Sequence, residues 1–183
     1  NIVRTLAKII DRGHLHRGFK PVHWCLDCGS ALAEAEVEYA DKQSSAVDVA
    51  FPFVDRADAA SRLGCDDGEP IDLAIWTTTP WTLPANRAVA LSTDLDYVLL
   101  DLGGRRVLVA EALAEGCAQR FGAERHEIIG RAKGAALEGL SVMPPFGEAP
   151  VPIVLGEHVT TEAGTGCVHT APAHGLEDFD MGQ

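Results

Sequence analysis

The sequence has no run of about eighteen apolar residues, the length a membrane-spanning helix requires, so no segment reads as a membrane span and no membrane partner is expected. It is poor in positive charge. Fifteen lysines and arginines stand against 27 aspartates and glutamates, a net charge of −12. A general nucleic-acid-binding surface needs a basic stripe, and this balance excludes one. Any nucleic acid bound here is expected to be a short single-stranded end whose phosphates are held elsewhere. Cysteine is sparse and odd in number, five in all. Cys65, Cys117 and Cys167 stand alone in apolar or glycine-rich surroundings, which speaks against a disulfide framework and for reduced thiols in a cytoplasmic protein. No signal-peptide pattern, internal repeat or low-complexity segment is present. What is present is a core's worth of apolar residues, 46% of 183. The chain opens at Asn1 inside a helical pattern and stops at Gln183 inside another element, which reads as a piece of a longer protein.

Hydrophobic spacing predicts many short strands and few helices. Val3, Leu6, Ala7 and Ile10 recur at helical spacing over 3–12, with Asn1 as N-cap and Gly13 as stop. Ala33, Ala35, Val37 and Tyr39 alternate with glutamates, predicting a strand with one acidic face. Residues 47–53 predict a second strand, at a sheet edge because Pro52 cannot donate to a ladder. Residues 58–63 predict a helical turn closed by Gly64. Residues 71–76 and 88–91 predict strands, and 97–110 a β-hairpin turning on Gly103 and Gly104. A helix is expected over 111–121 and short strands over 127–129 and 151–155, with 130–150 irregular between them. The fold class is α+β, mainly β, with a barrel-like core and peripheral helices. Residues 1–40 are read as a connective segment and 41–183 as the main domain.

Two stretches carry chemistry. Residues 76–86 read Trp-Thr-Thr-Thr-Pro-Trp-Thr-Leu-Pro-Ala-Asn. A buried strand leads in, and Pro80 and Pro84 end the ladder. The result is a stiff loop of hydroxyls and one carboxamide, suited to a neutral polyhydroxylated ligand such as a ribose, or to an attacking water. On composition alone a self-capped threonine turn is the default. The second stretch, from Gly164 to Phe179, holds His169, His174 and Asp178 about a turn forced by Pro172. His169 and Asp178 could line one pocket, with the carboxylate holding an ammonium group. Alternatively Asp178 caps a helix, or the three side chains bind a metal, which the absence of a helical His-x-x-x-His spacing disfavours. A third feature, Cys25-x-x-Cys28, has the spacing of half a zinc site, and His23 is an awkward third donor. No second Cys-x-x-Cys exists in the chain, so a structural zinc would need ligands from outside it. His14 to Gly18 faintly echoes a nucleotide-binding His-Ile-Gly-His motif and is read as a polar loop.

Taken together and in this order, the Thr-Thr-Thr-Pro-Trp-Thr-Leu-Pro-Ala-Asn and Gly-Thr-Gly-x-Val-His-x-Ala-Pro-x-His-Gly-x-Glu-Asp stretches resemble the editing (CP1) domain of class Ia aminoacyl-tRNA synthetases, the isoleucyl branch above all. His23-Trp24-Cys25 and the segment 31–39 are similar to the same family, so the resemblance covers essentially the whole chain. Valyl and leucyl members typically carry arginine where this chain has Thr79, and lack a histidine at the position of His169.

The resemblance implies a deacylase. Valine wrongly esterified to tRNA(Ile), and by extension valyl-adenylate, would be hydrolysed while isoleucine is excluded. The partners implied are the 3′-terminal adenosine of the aminoacylated tRNA, the valine moiety and the rest of a parent synthetase; no cofactor is required. By resemblance, Asp178 binds the substrate α-ammonium and His169 walls the side-chain pocket. Thr77, Thr78 and Thr79 contact the terminal ribose and ester, and Thr82 and Asn86 complete that shell. Thr79, Thr82, Asn86 and Asp178 are the catalytic candidates. Trp76 and Trp81 are read as packing. The isoleucyl enzymes are the reference case for double-sieve editing, and that logic is taken over from them. Valine and isoleucine differ by one methylene, worth ~1 kcal/mol of burial, so a second pocket must discriminate by exclusion. No serine, cysteine or threonine stands beside an obvious base, so a positioned water is expected and no covalent intermediate. Two other classes compete: a silent module that only grips a tRNA end, and a zinc hydrolase built on Cys25, Cys28, His169 and His174. The chain carries neither a Lys-Met-Ser-Lys-Ser signature nor a true His-Ile-Gly-His motif, so it is not expected to perform aminoacylation.

Overall fold

The computed structural model describes residues 1–66 and 68–183. The chain divides into two compact units, Asn1–Glu38 and Tyr39–Gln183. In the first, helix α1 (Ile2–Asp11) carries Ile2, Val3, Leu6, Ile9 and Ile10, all exposed. Strands β1 (His23–Cys25) and β2 (Ser30–Leu32) form a small antiparallel hairpin. The expected strand over 33–39 is not there. Glu34–Glu36 is a single 3-10 turn, and Glu36 reaches back to accept the Ala33 N–H at 2.8 Å. A local cap wins because the alternating alanines are too small to bury enough area to hold a strand against a sheet.

The second unit starts with β3 (Val47–Pro52), an edge strand as its proline requires. Helix α2 (Arg56–Leu63) follows. Asp55 caps it by accepting the Asp58 N–H, and Gly64 closes it at φ 70°. Strand β4 (Ile71–Thr77) leads into a 3-10 segment, Pro80–Ala85, and then β5 (Ala88–Leu91). The hairpin β6 (Asp96–Asp101) and β7 (Arg106–Ala110) turns on Gly103 and Gly104, both at positive φ. The helix expected over 111–121 opens as a 3-10 turn, Glu111–Leu113, before α3 (Ala114–Arg120).

Residues 130–150 are more regular than their glycines and prolines suggest. Strand β8 runs Glu127–Lys133, followed by α4 (Gly134–Leu137) and β9 (Ser141–Val142). Gly130 and Gly134 are sites of close approach. A Cβ on Gly130 would sit 3.0 Å from the Leu63 carbonyl oxygen, and one on Gly134 would overlap the Ser92 carbonyl. Strands β10 (Val151–Leu155) and β11 (Val168–Thr170) and helix α5 (Leu176–Met181) complete the chain.

Two sheets result. One runs β3-β4-β7-β6-β8 and the other β11-β5-β10-β9. A bridge from Phe53 to Val142 joins them at one edge, giving a barrel-like wrap that, among the described residues, does not close. Period-2 alternation puts Leu73, Tyr97, Leu99 and Leu108 into the main core, with Phe51, Val89 and Ile153. The opposite face of the five-stranded sheet presents Ala74, Val98, Leu100, Val107 and Val109 to Ala114, Cys117 and Ala118 of α3. Burial on both faces explains why β6 reads as a continuous apolar run. No helix among the described residues is long and apolar enough to cross a membrane.

Candidate functional site

β4 delivers its last residue, Thr77, to the start of the proline-bounded segment. Thr77 is buried, and its Oγ1 accepts the Thr79 N–H at 3.0 Å and lies 3.1 Å from Thr79 Oγ1. Pro80 stops the strand and sets a 3-10 turn, which brings the Thr82 N–H to the Thr79 carbonyl at 3.0 Å. Thr82 Oγ1 donates to the same carbonyl at 2.9 Å. Thr78 and Thr79 are exposed, whereas Thr82 and Asn86 are buried.

The second stretch reaches the first through the sheet. β11 pairs antiparallel with β5, placing His169 opposite Val89, and the Arg87 N–H donates to the Thr170 carbonyl at 2.9 Å. That register lays the imidazole against the turn leading into β5. His169 Nε2 lies 2.7 Å from Thr82 Oγ1, and Nδ1 lies 2.9 Å from Asn86 Nδ2. Only 8% of the residue is exposed. Burial pushes the imidazole below its ordinary value of 6.5; the Asp178 charge opposes that and His174 adds to it. Asp178 stands in the first turn of α5, and its Oδ2 accepts the Ala171 N–H at 2.8 Å.

Thr77, Thr79, Thr82, Asn86 and His169 therefore form one connected hydrogen-bonded chain, with Asp178 an electrostatic neighbour of His169. Thr77 and Thr78 line a cleft of about 310 Å³ with Trp76, His158, Thr160, Glu162 and the loop 163–168. Glu162 is its one acid, and no lysine or arginine lines it among the described residues. The loop is pinned from behind. Arg120 Nη2 donates to the Gly164 carbonyl at 3.0 Å while its guanidinium grips Asp48. Tyr97, wholly buried, accepts the Ser92 N–H and donates to the Gly166 carbonyl at 2.7 Å. Such a cleft suits hydroxyls and an ammonium better than a phosphate.

His158, Thr160 and Glu162 are cleft residues that the sequence motifs do not single out; the one available signal is their place just ahead of the glycine-rich stretch. Trp81 is not packing, as its exposure of 70% shows. Pro80 and Pro84 hold its backbone in the 3-10 turn without giving the indole a surface to cover. Trp76 is half-buried and backs the cleft at Gly164, where a Cβ would lie 3.1 Å from its ring.

Cys25 ends β1 and Cys28 lies on the turn that leads to β2. The Cys28 N–H points at Cys25 Sγ, 3.2 Å away, and lowers the Cys25 thiol's pKa. Two thiols on a tight turn fit half of a tetrahedral set. Among the described residues no group of three or more histidine, cysteine, aspartate or glutamate side chains could hold a metal ion.

The chain has clear relatives. A family model described as "tRNA synthetases class I (I, L, M and V)" matches residues 1–164. An isoleucine–tRNA ligase of Alcanivorax borkumensis is 62% identical over 187 residues, covering 100% of this chain and 20% of that protein. One from Shewanella sp. strain MR-4 is 56% identical over 188 residues with the same coverage. The chain thus spans about a fifth of the length of these curated relatives. Among solved structures, GlLeuRS-CP1 matches with a TM-score of 0.66 at 16% identity, over 75% of this chain and 59% of that one. The editing domain of the P. knowlesi cytosolic leucyl-tRNA synthetase matches with a TM-score of 0.59 at 11% identity, over 78% and 64%. At these identities the likeness is one of fold.

Proposed function

The chain belongs to the class I tRNA synthetase family, and from that premise we propose that it is the editing domain of an isoleucine–tRNA ligase, hydrolysing valine from mischarged tRNA(Ile). The observation that carries this reading is a hydroxyl-lined cleft, free of lysine and arginine among the described residues, whose Thr77 is linked through Thr79 and Thr82 by hydrogen bonds to a rigidly held imidazole. The 3′-terminal ribose enters against Thr77, Thr78 and Thr79. Asp178 receives the α-ammonium of the aminoacyl group. His169 limits the length of side chain that fits.

The reaction is hydrolysis of an ester. Water oxygen adds to the carbonyl carbon, the bond to the ribose oxygen breaks, and that oxygen leaves with a proton that the water gave up. The products are free valine and tRNA. Threonine hydroxyls orient the water, and the neighbouring free ribose hydroxyl assists. The side chain that would collide with His169 moves the ester away from that water, so a small steric difference becomes a larger kinetic one. The net charge of −12 supports a division of labour in which other parts of a longer enzyme grip the tRNA.

Deacylation of valyl- and isoleucyl-tRNA(Ile), in chelator, tests the reading. Selective loss of the valyl ester is expected. No hydrolysis of either ester by folded protein of full natural length would replace it with a binding module. Chelator-sensitive hydrolysis would replace it with a metal-dependent one.

A further inference from the structure

We infer that Asn86 is a positioning residue that fixes His169 as the Nε2–H tautomer with both ring nitrogens turned into the protein, so the histidine gauges substrate size through its carbon edges and is not the hydrolytic base. This rests on the reading of the site given above.

The argument begins at a group that can only accept. Asn86 Nδ2 lies 2.9 Å from the Ala88 carbonyl. A carbonyl has no proton, so the nitrogen of the carboxamide, and not its oxygen, faces it; the reversed amide would set two oxygens against each other. The second N–H of the same nitrogen then points at His169 Nδ1, 2.9 Å away. Nδ1 must accept, so in the neutral ring the proton sits on Nε2. At the other edge Nε2 faces Thr82 Oγ1 at 2.7 Å, and that hydroxyl spends its own proton on the Thr79 carbonyl at 2.9 Å. Thr82 therefore accepts from Nε2, and the assignment closes without conflict. Starting from the opposite tautomer, the Ala88 carbonyl loses the Asn86 donor, and the Thr79 carbonyl loses the Thr82 hydroxyl and keeps the Thr82 N–H.

Two consequences follow. A general base needs a free lone pair within reach of water, and the one lone pair of this ring is taken by Asn86. The ring is also held at both ends, so it cannot swing aside when a longer side chain presses on it. Asn86 Oδ1 is buried with no partner among the described residues, which shows the amide oriented by its two donated bonds rather than by its oxygen.

The test uses the protein at its full natural length with ¹⁵N-labelled histidine. Long-range proton–nitrogen spectra should show His169 with a bare Nδ1 and a protonated Nε2. Asn86→Asp presents an oxygen where a donor stood and should force a proton onto Nδ1. Loosening either tether should also lower the valyl-over-isoleucyl discrimination by roughly tenfold or more, in Asn86→Asp and in the near-isosteric Thr82→Val, with Thr82→Ser restoring it. A protonated Nδ1 in the unaltered protein overturns the inference, whatever the variants do. Unchanged discrimination in both variants, with valyl-tRNA still hydrolysed, overturns the positioning role while leaving the deacylase reading intact. Failure of the unaltered protein to hydrolyse valyl-tRNA would instead remove the deacylase reading, and the tautomer would still be decided by the spectrum.

Discussion

Asp178 is assigned two tasks that two substitutions can separate. Its Oδ2 accepts the Ala171 N–H at 2.8 Å, tying the first turn of α5 back to the residue after β11. Its second oxygen makes no hydrogen bond among the described residues and is the one available to an ammonium group. Asp178→Asn keeps an acceptor for Ala171 and removes the charge. The fold should keep its stability, while loss of a charge-assisted contact of about 1.5–3 kcal/mol lowers kcat/KM for valyl-tRNA roughly 10- to 150-fold. Asp178→Ala removes both contacts. It should lose the same activity and also about 1 kcal/mol of stability, the usual net worth of a hydrogen bond. Urea denaturation and single-turnover deacylation read the two effects separately. Full-rate deacylation by the Asp178→Asn variant would refute the ammonium anchor. An Asp178→Ala variant as stable as Asp178→Asn would refute the stabilising tie to Ala171.

Three further outcomes are expected. Gly166→Ala should lower stability by about 2–4 kcal/mol in urea, since φ is +75° and the new methyl would lie 2.4 Å from Ala110 Cβ. Gly103→Ala, at φ +78° with open space around it, should lose only about 1 kcal/mol; equal losses would sink the packing argument. Because burial depresses the His169 pKa below 6.5, acid protonates the unfolded chain first. Stability should therefore hold above that pH and decline as pH falls through it towards the folded-state value. In a denaturation series against pH, His169→Gln should flatten this segment of the curve. Native thiol titration should modify exposed Cys28 and its activated neighbour Cys25 readily. It should spare Cys117 and Cys167 until unfolding, because burial pushes both thiols up. Fast labelling of Cys167 would contradict the packing of the glycine-rich loop.

Elements whose signal is local are legible in the sequence. The hairpin turns where two adjacent glycines demand it, α2 stops at Gly64, and Pro52 places β3 at an edge. Misreadings arise where a distant contact gives a residue its meaning. Gly130 and Gly134 look like breakers, yet their bare α-carbons admit Leu63 and Ser92. Ala33 to Tyr39 alternate like a strand, and no sheet is there to receive it. The site is legible as chemical types on two stretches. Its wiring is not, because the hydrogen bonds from His169 to Asn86 and Thr82 cross 83 and 87 residues of chain. No short window along the sequence contains both ends.

The position of β5 has a consequence for when the site can exist. Val89 is flanked in register by Ile153 on one side and His169 on the other, and both lie far downstream of it in the chain. On the ribosome, β5 emerges with both edges bare and waits for most of the remaining unit before either is covered. Such non-local pairing is slow, and its open edges invite wrong partners. No nascent chain that stops short of β11 has His169, the residue proposed as the wall. On the proposed reading, the strand that creates selectivity is one that docks after the threonines are in place, and a truncated product would carry the threonines without the proposed gauge. A ligand bound at the finished site should in turn raise the unfolding temperature of the whole unit, because occupancy requires the late strand to stay in place.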